Sequence, residues 1–217
     1  MNQHQYKAVV FDLDGTLLNT LEDLRDSVNY GLEKNGMPKR SLEEIRRFVG
    51  NGVGKLIERA VPRGTTKDEE ARVFEAFKQH YAVHCNDKTD LYPGIREMLS
   101  ELKRRGYLMA IVSNKLQSGV DVLSELYFKD FTKVAVGGRE DMPKKPAPDM
   151  VYEALRQLAV TKAEAVFVGD SEVDIATAGN AGMDCITVAW GFRSRQEQEK
   201  AGAKVFVNSP MEIIDLL

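Results

Sequence analysis

Cysteine is scarce in this chain of 217 residues, which contains only Cys85 and Cys185. The two are far apart and neither belongs to a CxxC pair, which argues against a disulfide framework or a zinc site and favours a reducing compartment. Excess positive charge is also missing, because the formal net charge is −3 and the sequence pI is about 5.7. The composition therefore gives no electrostatic reason to expect a nucleic-acid partner.

Long hydrophobic runs are absent as well. No apolar stretch approaches the ~20 residues that a membrane-spanning helix needs. The polar residues 1–7 lack the apolar region of a signal peptide, and the chain has no internal repeats. We expect a cytoplasmic protein that does not associate with membranes and that is a monomer or a homodimer.

From Asp90 onward the chain alternates short apolar runs with helix-period patterns. The strands predicted from these runs, together with one near the start, span residues 8–11, 108–112, 134–136, 165–168, 185–189 and 205–207. Helical spacing of apolar residues separates them, as in residues 95–102, 120–126 and 151–158. Continuous apolar strands between amphipathic helices predict an α/β fold with a parallel sheet covered on both faces.

Residues 17–83 have a different character, because their apolar residues recur at helical spacing. Ser41 with Glu44, and Thr66 with Glu69, match the capping-box signature of helix starts. No convincing strand is predicted in this stretch. We therefore predict a core formed by residues 1–16 and 84–217, with residues 17–83 inserted as an all-helical module.

Two carboxylates follow the first predicted strand. Asp12 and Asp14 lie at its carboxyl end, the edge at which open α/β sheets bind ligands. Residues two apart in an extended chain point the same way, so both side chains can face one site. One carboxylate can then attack phosphorus while the other handles protons. The alternative is that Asp14-Gly15 only marks a hairpin turn, but a helical pattern follows instead of a returning strand.

Ser113, Asn114 and Lys145 supply a hydroxyl, an amide and an ammonium. Ser113 and Asn114 are predicted to end the second core strand at a helix start, where backbone N–H groups suit a phosphate oxygen. Lys145 lies in a proline-rich loop that limits where its side chain can point, and an ammonium can neutralise a phosphate. The alternatives are a helix cap for the Ser-Asn pair and a solvated basic loop for the lysine.

Asp170 and Asp174 follow another predicted strand, and Gly169 allows a close approach. Carboxylate oxygens are the ligands that Mg²⁺ prefers, usually together with waters and substrate phosphate. The alternative for Asp170 is a helix N-cap. Considered with Asp12 and Asp14, these residues favour a Mg²⁺-assisted phosphate site that takes a small phosphorylated metabolite.

The order of these motifs resembles the haloacid dehalogenase-like hydrolase superfamily. DLDGT at residues 12–16, the serine, KPxP from Lys145 and GDSxxD at residues 169–174 carry the resemblance over essentially the whole chain. It implies a Rossmann-like core with a mobile helical cap inserted after the first motif. It also implies that Asp12 is the nucleophile, that Asp14 is the general acid and base, and that Ser113 and Lys145 hold the phosphoryl group.

The same resemblance implies a Mg²⁺ cofactor. Its ligands would be Asp12, the backbone carbonyl of Asp14, and Asp170, with Asp174 assisting. An aspartate at position 14 favours phosphatase or phosphomutase chemistry over dehalogenation.

Within the superfamily, residues 19–29 and 49–54 resemble phosphoglycolate phosphatases, although Asn19 stands where those proteins commonly carry Asp. We therefore expect a phosphatase that hydrolyses a small monoester, 2-phosphoglycolate above others, through an aspartyl-phosphate. The alternatives are a β-phosphoglucomutase-like phosphomutase, which usually has a His that is missing between Thr16 and Arg25, or a pyrophosphatase. A non-enzymatic phosphate sensor fits less well, because it needs no second aspartate at position 14.

Residues 50–55 read GNGVGK but lack the first glycine and the final Ser or Thr of a nucleotide-binding P-loop. We interpret this segment as a cap loop that dips over the substrate and brings Gly52 to it. Lys55 is a candidate partner for a substrate carboxylate. The alternative for Lys55 is a solvent-exposed helix face.

Overall fold

The structure is a computed structural model that describes residues 6–217. Residues 1–5, which belong to the polar segment and to the predicted core range 1–16, lie outside the described residues. The strands are β1 (Ala8–Phe11), β2 (Leu18–Asn19), β3 (Asp90–Leu91), β4 (Leu108–Leu116), β5 (Val134–Gly138), β6 (Ala165–Gly169), β7 (Asp184–Val188) and β8 (Val205–Val207).

The α-helices of the described residues follow the predicted helical patterns. They are α1 (Leu21–Lys34), α2 (Leu42–Phe48), α3 (Val53–Ala60), α4 (Lys67–His84), α5 (Ile95–Arg104), α6 (Gln117–Tyr127), α7 (Asp149–Leu158), α8 (Glu172–Ala181), α9 (Arg195–Lys200) and α10 (Glu212–Asp215). Among residues 6–217, no helix is both long enough and apolar enough to span a bilayer.

Six parallel strands form the central sheet, in the order β5-β4-β1-β6-β7-β8. The predicted α/β fold with a covered parallel sheet is therefore confirmed. Strand β1 lies between β4 and β6, with Ala8 opposite both Leu108 and Ala165. Because the three strands are parallel and in register, their carboxyl ends meet at one edge of the sheet.

Apolar side chains cover the sheet on both faces, with the alternation that an extended strand imposes. On one face Val9 and Phe11 belong to the cluster that contains the buried residues of α5. On the other face Ala8 and Val10 pack with the buried residues of α7 and with Ala178 and Ala181 of α8. Every residue of β1 is buried, which explains why this strand is a continuous apolar run in the sequence.

Helices α1 to α4 pack around a third apolar cluster that includes Val28, Ile57 and Phe77. Both predicted capping boxes are present, with Ser41 and Thr66 as N-caps of α2 and α4. The expectation that this stretch contains no strand is wrong, because β2 pairs antiparallel with β3. Leu18 is buried opposite Leu91, so the segments that lead into and out of the four helices run side by side.

Leu102 tests the packing of α5 on the sheet, because its side chain is fully buried. Leu102→Ala should lower the free energy of unfolding by about 2–5 kcal/mol, since it removes apolar contacts and leaves a cavity. Leu126→Ala is the matched control, because Leu126 on α6 is 56% exposed. Urea unfolding followed by circular dichroism measures both changes. Equal effects of the two substitutions would contradict the described core.

Candidate active site

A cavity of about 250 Å³ opens at the carboxyl edge of the sheet. Its floor includes Asp12, Ser113 and Asp170, which follow or lie within β1, β4 and β6. Helices α1, α3 and α4 supply an apolar wall, to which Leu24 and Leu56 contribute. The side chains predicted from separate motifs therefore line one enclosed space.

Lys145 joins two of the predicted acidic residues. Its Nζ lies 2.6 Å from Asp12 Oδ1 and 2.8 Å from Asp174 Oδ1, and all three side chains are buried. Candidate ligand oxygens of Asp12, Asp170 and Asp174 lie within 4.8 Å of one another. The proline-rich loop thus places the Lys145 ammonium in an acidic cluster. The alternative of a solvated basic loop is wrong for this lysine.

The electrostatics of this cluster suit a divalent cation. Burial raises the pKa of Asp12 well above its ordinary value, against the opposing effect of Lys145. Burial, with the charge of Asp174, raises the pKa of Asp170 to about 7. Since burial disfavours the charged carboxylates, a cation among them would stabilise their ionised form, and hard oxygen ligands of this kind fit Mg²⁺.

Local geometry fixes the orientation of Asp170 and Asp174. The N-cap of α8 is Ser171, so the alternative of Asp170 as N-cap is wrong. Asp174 Oδ2 accepts hydrogen bonds from Ser171 N and Oγ at 3.0 and 2.7 Å, which leaves Oδ1 for Lys145. Asp170 Oδ2 accepts a hydrogen bond from Phe192 N at 2.6 Å.

Asp14 lines the same cavity, but its carboxylate is not part of the acidic cluster. Its Oδ1 accepts hydrogen bonds from Thr20 Oγ1 and Lys115 Nζ, each at 2.7 Å. The structure therefore brings Asp12 and Asp14 to one cavity and gives their carboxylates different partners. The Asp14-Gly15 step leads to the short strand β2 and then to α1, not to a returning strand of the central sheet.

Ser113 and Asn114 are not at a helix start, so that expectation is wrong. Strand β4 continues to Leu116 through a shift in its register with β5, and α6 begins at Gln117. Ser113 is buried at the cavity floor. Its backbone N–H cannot belong to a helix N-terminus, because the helix begins four residues later.

The Asn114 side chain contacts backbone groups. Its Nδ2 donates to Lys145 O at 2.9 Å and to Gly50 O at 3.0 Å, and its Oδ1 accepts from Lys145 N at 2.8 Å. These bonds fix the lysine loop and connect it to the loop that precedes α3. Asn114 also lines the cavity, and its role in substrate binding stays a prediction.

The loop before α3 reaches the cavity, but the lysine after it does not. Gly52 has a φ of 83°, and a Cβ there would lie 3.3 Å from Asn114 O, so glycine permits this close approach. Lys55 is exposed and its Nζ lies 2.8 Å from Glu58 Oε2. The interpretation of Lys55 as a substrate ligand is therefore not supported, because its helix turns it to the solvent.

Lys115 was missed by the sequence reasoning. Its side chain is buried in β4 and contacts Asp14, and its Nζ lies 4.8 Å from the centre of the Tyr81 ring. The available signal was its place two residues after Ser113, which puts both side chains on one face of an extended strand.

Arg193 was missed as well. It donates to Glu172 at 2.8 Å and to the backbone carbonyls of Arg46 and Val49 at 2.8 and 2.6 Å. In return Arg46 Nε donates to Phe192 O at 2.7 Å. This reciprocal pair of guanidinium groups holds the end of α2 against the loop that follows β7.

The family follows from comparison with known proteins. Residues 9–188 match the profile described as haloacid dehalogenase-like hydrolase. The chain belongs to this family. The predicted resemblance is thereby confirmed.

Similarity to individual known proteins extends over nearly the whole chain. A phosphoglycolate phosphatase from Chromobacterium violaceum is 32% identical over 222 residues, covering 100% of this chain and 99% of the relative. A solved structure from Lactobacillus delbrueckii subsp. bulgaricus is 37% identical to this chain and superposes with a TM-score of 0.91. The match covers 96% of this chain and 97% of that protein, whose assignment as a phosphoglycolate phosphatase is itself provisional. CbbY from Rhodobacter sphaeroides, solved in complex with phosphate, is 28% identical with a TM-score of 0.79, over 96% of each chain.

Gly169 tests the geometry of the acidic cluster, because an added Cβ would overlap Cβ and Cγ of Asp174. Gly169→Ala should displace that carboxylate and weaken Mg²⁺ binding at least about tenfold, a loss of about 1.4 kcal/mol. The rise of the thermal midpoint with Mg²⁺ concentration measures the affinity. Gly179→Ala in α8 is the control, because nothing lies within 4 Å of its added Cβ. Equal Mg²⁺ affinities in the two variants would contradict the described cluster.

Proposed function

We propose that this chain is a Mg²⁺-dependent phosphatase that hydrolyses a small phosphate monoester, with 2-phosphoglycolate as the preferred substrate. The observation that carries the proposal is the bridge from Lys145 to Asp12 and Asp174 beside Asp170, in a cavity that also contains Asp14. Two findings support it: the family membership, and the name of the Chromobacterium violaceum relative, which matches this chain over nearly its full length.

Asp12 is the nucleophile in this proposal. Its carboxylate oxygen attacks phosphorus, and the bond from phosphorus to the ester oxygen breaks to leave an aspartyl-phosphate. Lys145 holds one Asp12 oxygen at 2.6 Å and supplies positive charge where the phosphoryl oxygens lie. Ser113, buried at the cavity floor, donates its hydroxyl to the same group.

Asp14 moves the protons. It gives a proton to the departing alkoxide and then takes one from the water that attacks the aspartyl-phosphate, which releases inorganic phosphate and restores Asp12. Its position at the cavity but outside the acidic cluster separates this role from that of Asp12. Thr20 Oγ1 holds the carboxylate in place at 2.7 Å.

Asp12, Asp170 and Asp174, with the backbone carbonyl of Asp14, are the proposed Mg²⁺ ligands. A cation held by these groups would supply positive charge to neutralise the phosphoryl oxygens. Phe192 N–H and Ser171 keep the two later carboxylates in position for it.

Residues 17–83 are proposed to act as a cap that opens for the substrate and closes over it. Their helices supply Leu24, Leu56 and Phe77 to the cavity wall, which excludes water from the reacting groups. The cytoplasmic location and the monomeric or homodimeric state stay predictions.

Asp14→Asn tests the proton-transfer role. The amide keeps the shape of the side chain but cannot carry the proton, so kcat should fall by about 10²–10⁴-fold. Steady-state release of phosphate from 2-phosphoglycolate measures the change. Asp130→Asn is the control, because Asp130 is exposed and distant from the cavity in the fold. Turnover by Asp14→Asn at the wild-type rate would contradict the assignment.

Asp12→Asn tests the covalent intermediate. Wild-type protein quenched in acid during turnover should carry one added phosphoryl group by mass spectrometry, and Asp12→Asn should carry none. A phosphoryl adduct that persists in Asp12→Asn would place the nucleophile elsewhere.

Product analysis separates the alternative functions. Inorganic phosphate from 2-phosphoglycolate supports the phosphatase, whereas isomerised sugar phosphate without net phosphate identifies a phosphomutase. Phosphate from pyrophosphate but from no monoester identifies a pyrophosphatase. Ligand that is unchanged after long incubation with Mg²⁺ identifies a sensor.

A further inference from the structure

Lys115 is a buried cation at the cavity that the proposed reaction does not use. Burial would lower the pKa of its ammonium, but Asp14 and Tyr81 together hold this pKa above its ordinary value. Lys115 therefore places a positive charge at the cavity, with the Asp14 carboxylate as its partner. Such a group needs an explanation beyond packing.

The other cations at the cavity are already engaged. Lys145 lies between Asp12 and Asp174, and Arg193 pairs with Glu172 and with two backbone carbonyls. Lys78, which also lines the cavity, pairs with Glu75 at 3.1 Å. An ammonium has three N–H donors. For Lys115, the hydrogen-bonded carboxylate among residues 6–217 is Asp14, at 2.7 Å.

Tyr81 adds a second unexplained polar group at the same place. Its hydroxyl is buried, and no group in the described part of the chain meets it in good hydrogen-bond geometry. Lys115 Nζ lies 4.8 Å from the centre of its ring, and both residues line the cavity. A buried donor without a well-aligned partner costs free energy, so an oxygen-rich ligand group at this position would satisfy it.

The reaction geometry places part of the substrate beside these two residues. The ester oxygen of the leaving group has to lie within about 3 Å of the Asp14 carboxyl that protonates it. Lys115 Nζ contacts the same carboxylate at 2.7 Å, so it lies next to the atoms just beyond the ester oxygen. In 2-phosphoglycolate one methylene separates that oxygen from a carboxylate.

We propose that Lys115, with the Tyr81 hydroxyl, binds a carboxylate on the leaving group and so selects short phosphorylated hydroxy acids over neutral phosphate monoesters. The inference rests on the proposed phosphatase function and names the residue that determines its substrate class. It also assigns carboxylate binding to a core strand, in place of the exposed Lys55.

Lys115→Met tests this role, because methionine keeps a long flexible side chain against Tyr81 and Gly119 and removes the charge. The two substrates are 2-phosphoglycolate and 2-hydroxyethyl phosphate, which has a neutral hydroxyl in place of the carboxylate. Wild type should prefer 2-phosphoglycolate in kcat/KM. In Lys115→Met this preference should fall by roughly 10- to 150-fold, the loss expected for a hydrogen bond between charged groups.

The ratio of the two kcat/KM values separates substrate recognition from a merely structural role, because a structural role would leave this ratio unchanged. An effect transmitted through Asp14 lowers the rate with both substrates by the same factor and cancels in the ratio. Lys129→Met is the matched control, because Lys129 is exposed and pairs with Glu125. It should leave the ratio unchanged.

Tyr81→Phe is a second variant that tests the same proposal if Lys115→Met does not fold. It retains the ring and should lower the preference by roughly 10-fold or more, since the lost hydrogen bond is to a charged carboxylate. Equal losses for both substrates in the folded variants, or a wild type that prefers 2-hydroxyethyl phosphate, would overturn the inference and leave the phosphatase function intact. A wild type that releases phosphate from neither substrate would overturn both.

Discussion

The contact of the Lys145 ammonium with Asp12 and Asp174 is the interaction on which the site depends. These residues come from the end of β1, the proline-rich loop and the first turn of α8, and they are buried together. Without the ammonium, the buried carboxylates would repel one another with little solvent to screen them. The parallel register of β1 with its neighbours sets the distances that make this contact possible.

Much of the fold could be predicted because its signals are local. The fully buried strand β1 is a continuous apolar run, and the capping boxes at Ser41 and Thr66 mark helix starts. Asp12 and Asp170 could be placed at one sheet edge because each directly follows such a run. The order of the motifs along the chain was also enough to identify the family correctly.

The remaining features depend on contacts that no local pattern encodes. Strand β4 passes through an irregularity after Val112, so the apparent helix start at Ser113 was misplaced. Lys115 looks like an ordinary charged residue until the fold buries it beside Asp14. The short strand β2 forms only because Leu91, far along the chain, returns to pair with Leu18.

Phe192, in the loop after β7, contacts both the helical region and the acidic cluster. Phe192 offers its carbonyl to Arg46 at the end of α2, and its N–H to Asp170. An outward displacement of α2 would therefore pull on the segment that steadies Asp170, which would couple access to the pocket with the geometry of its acidic floor.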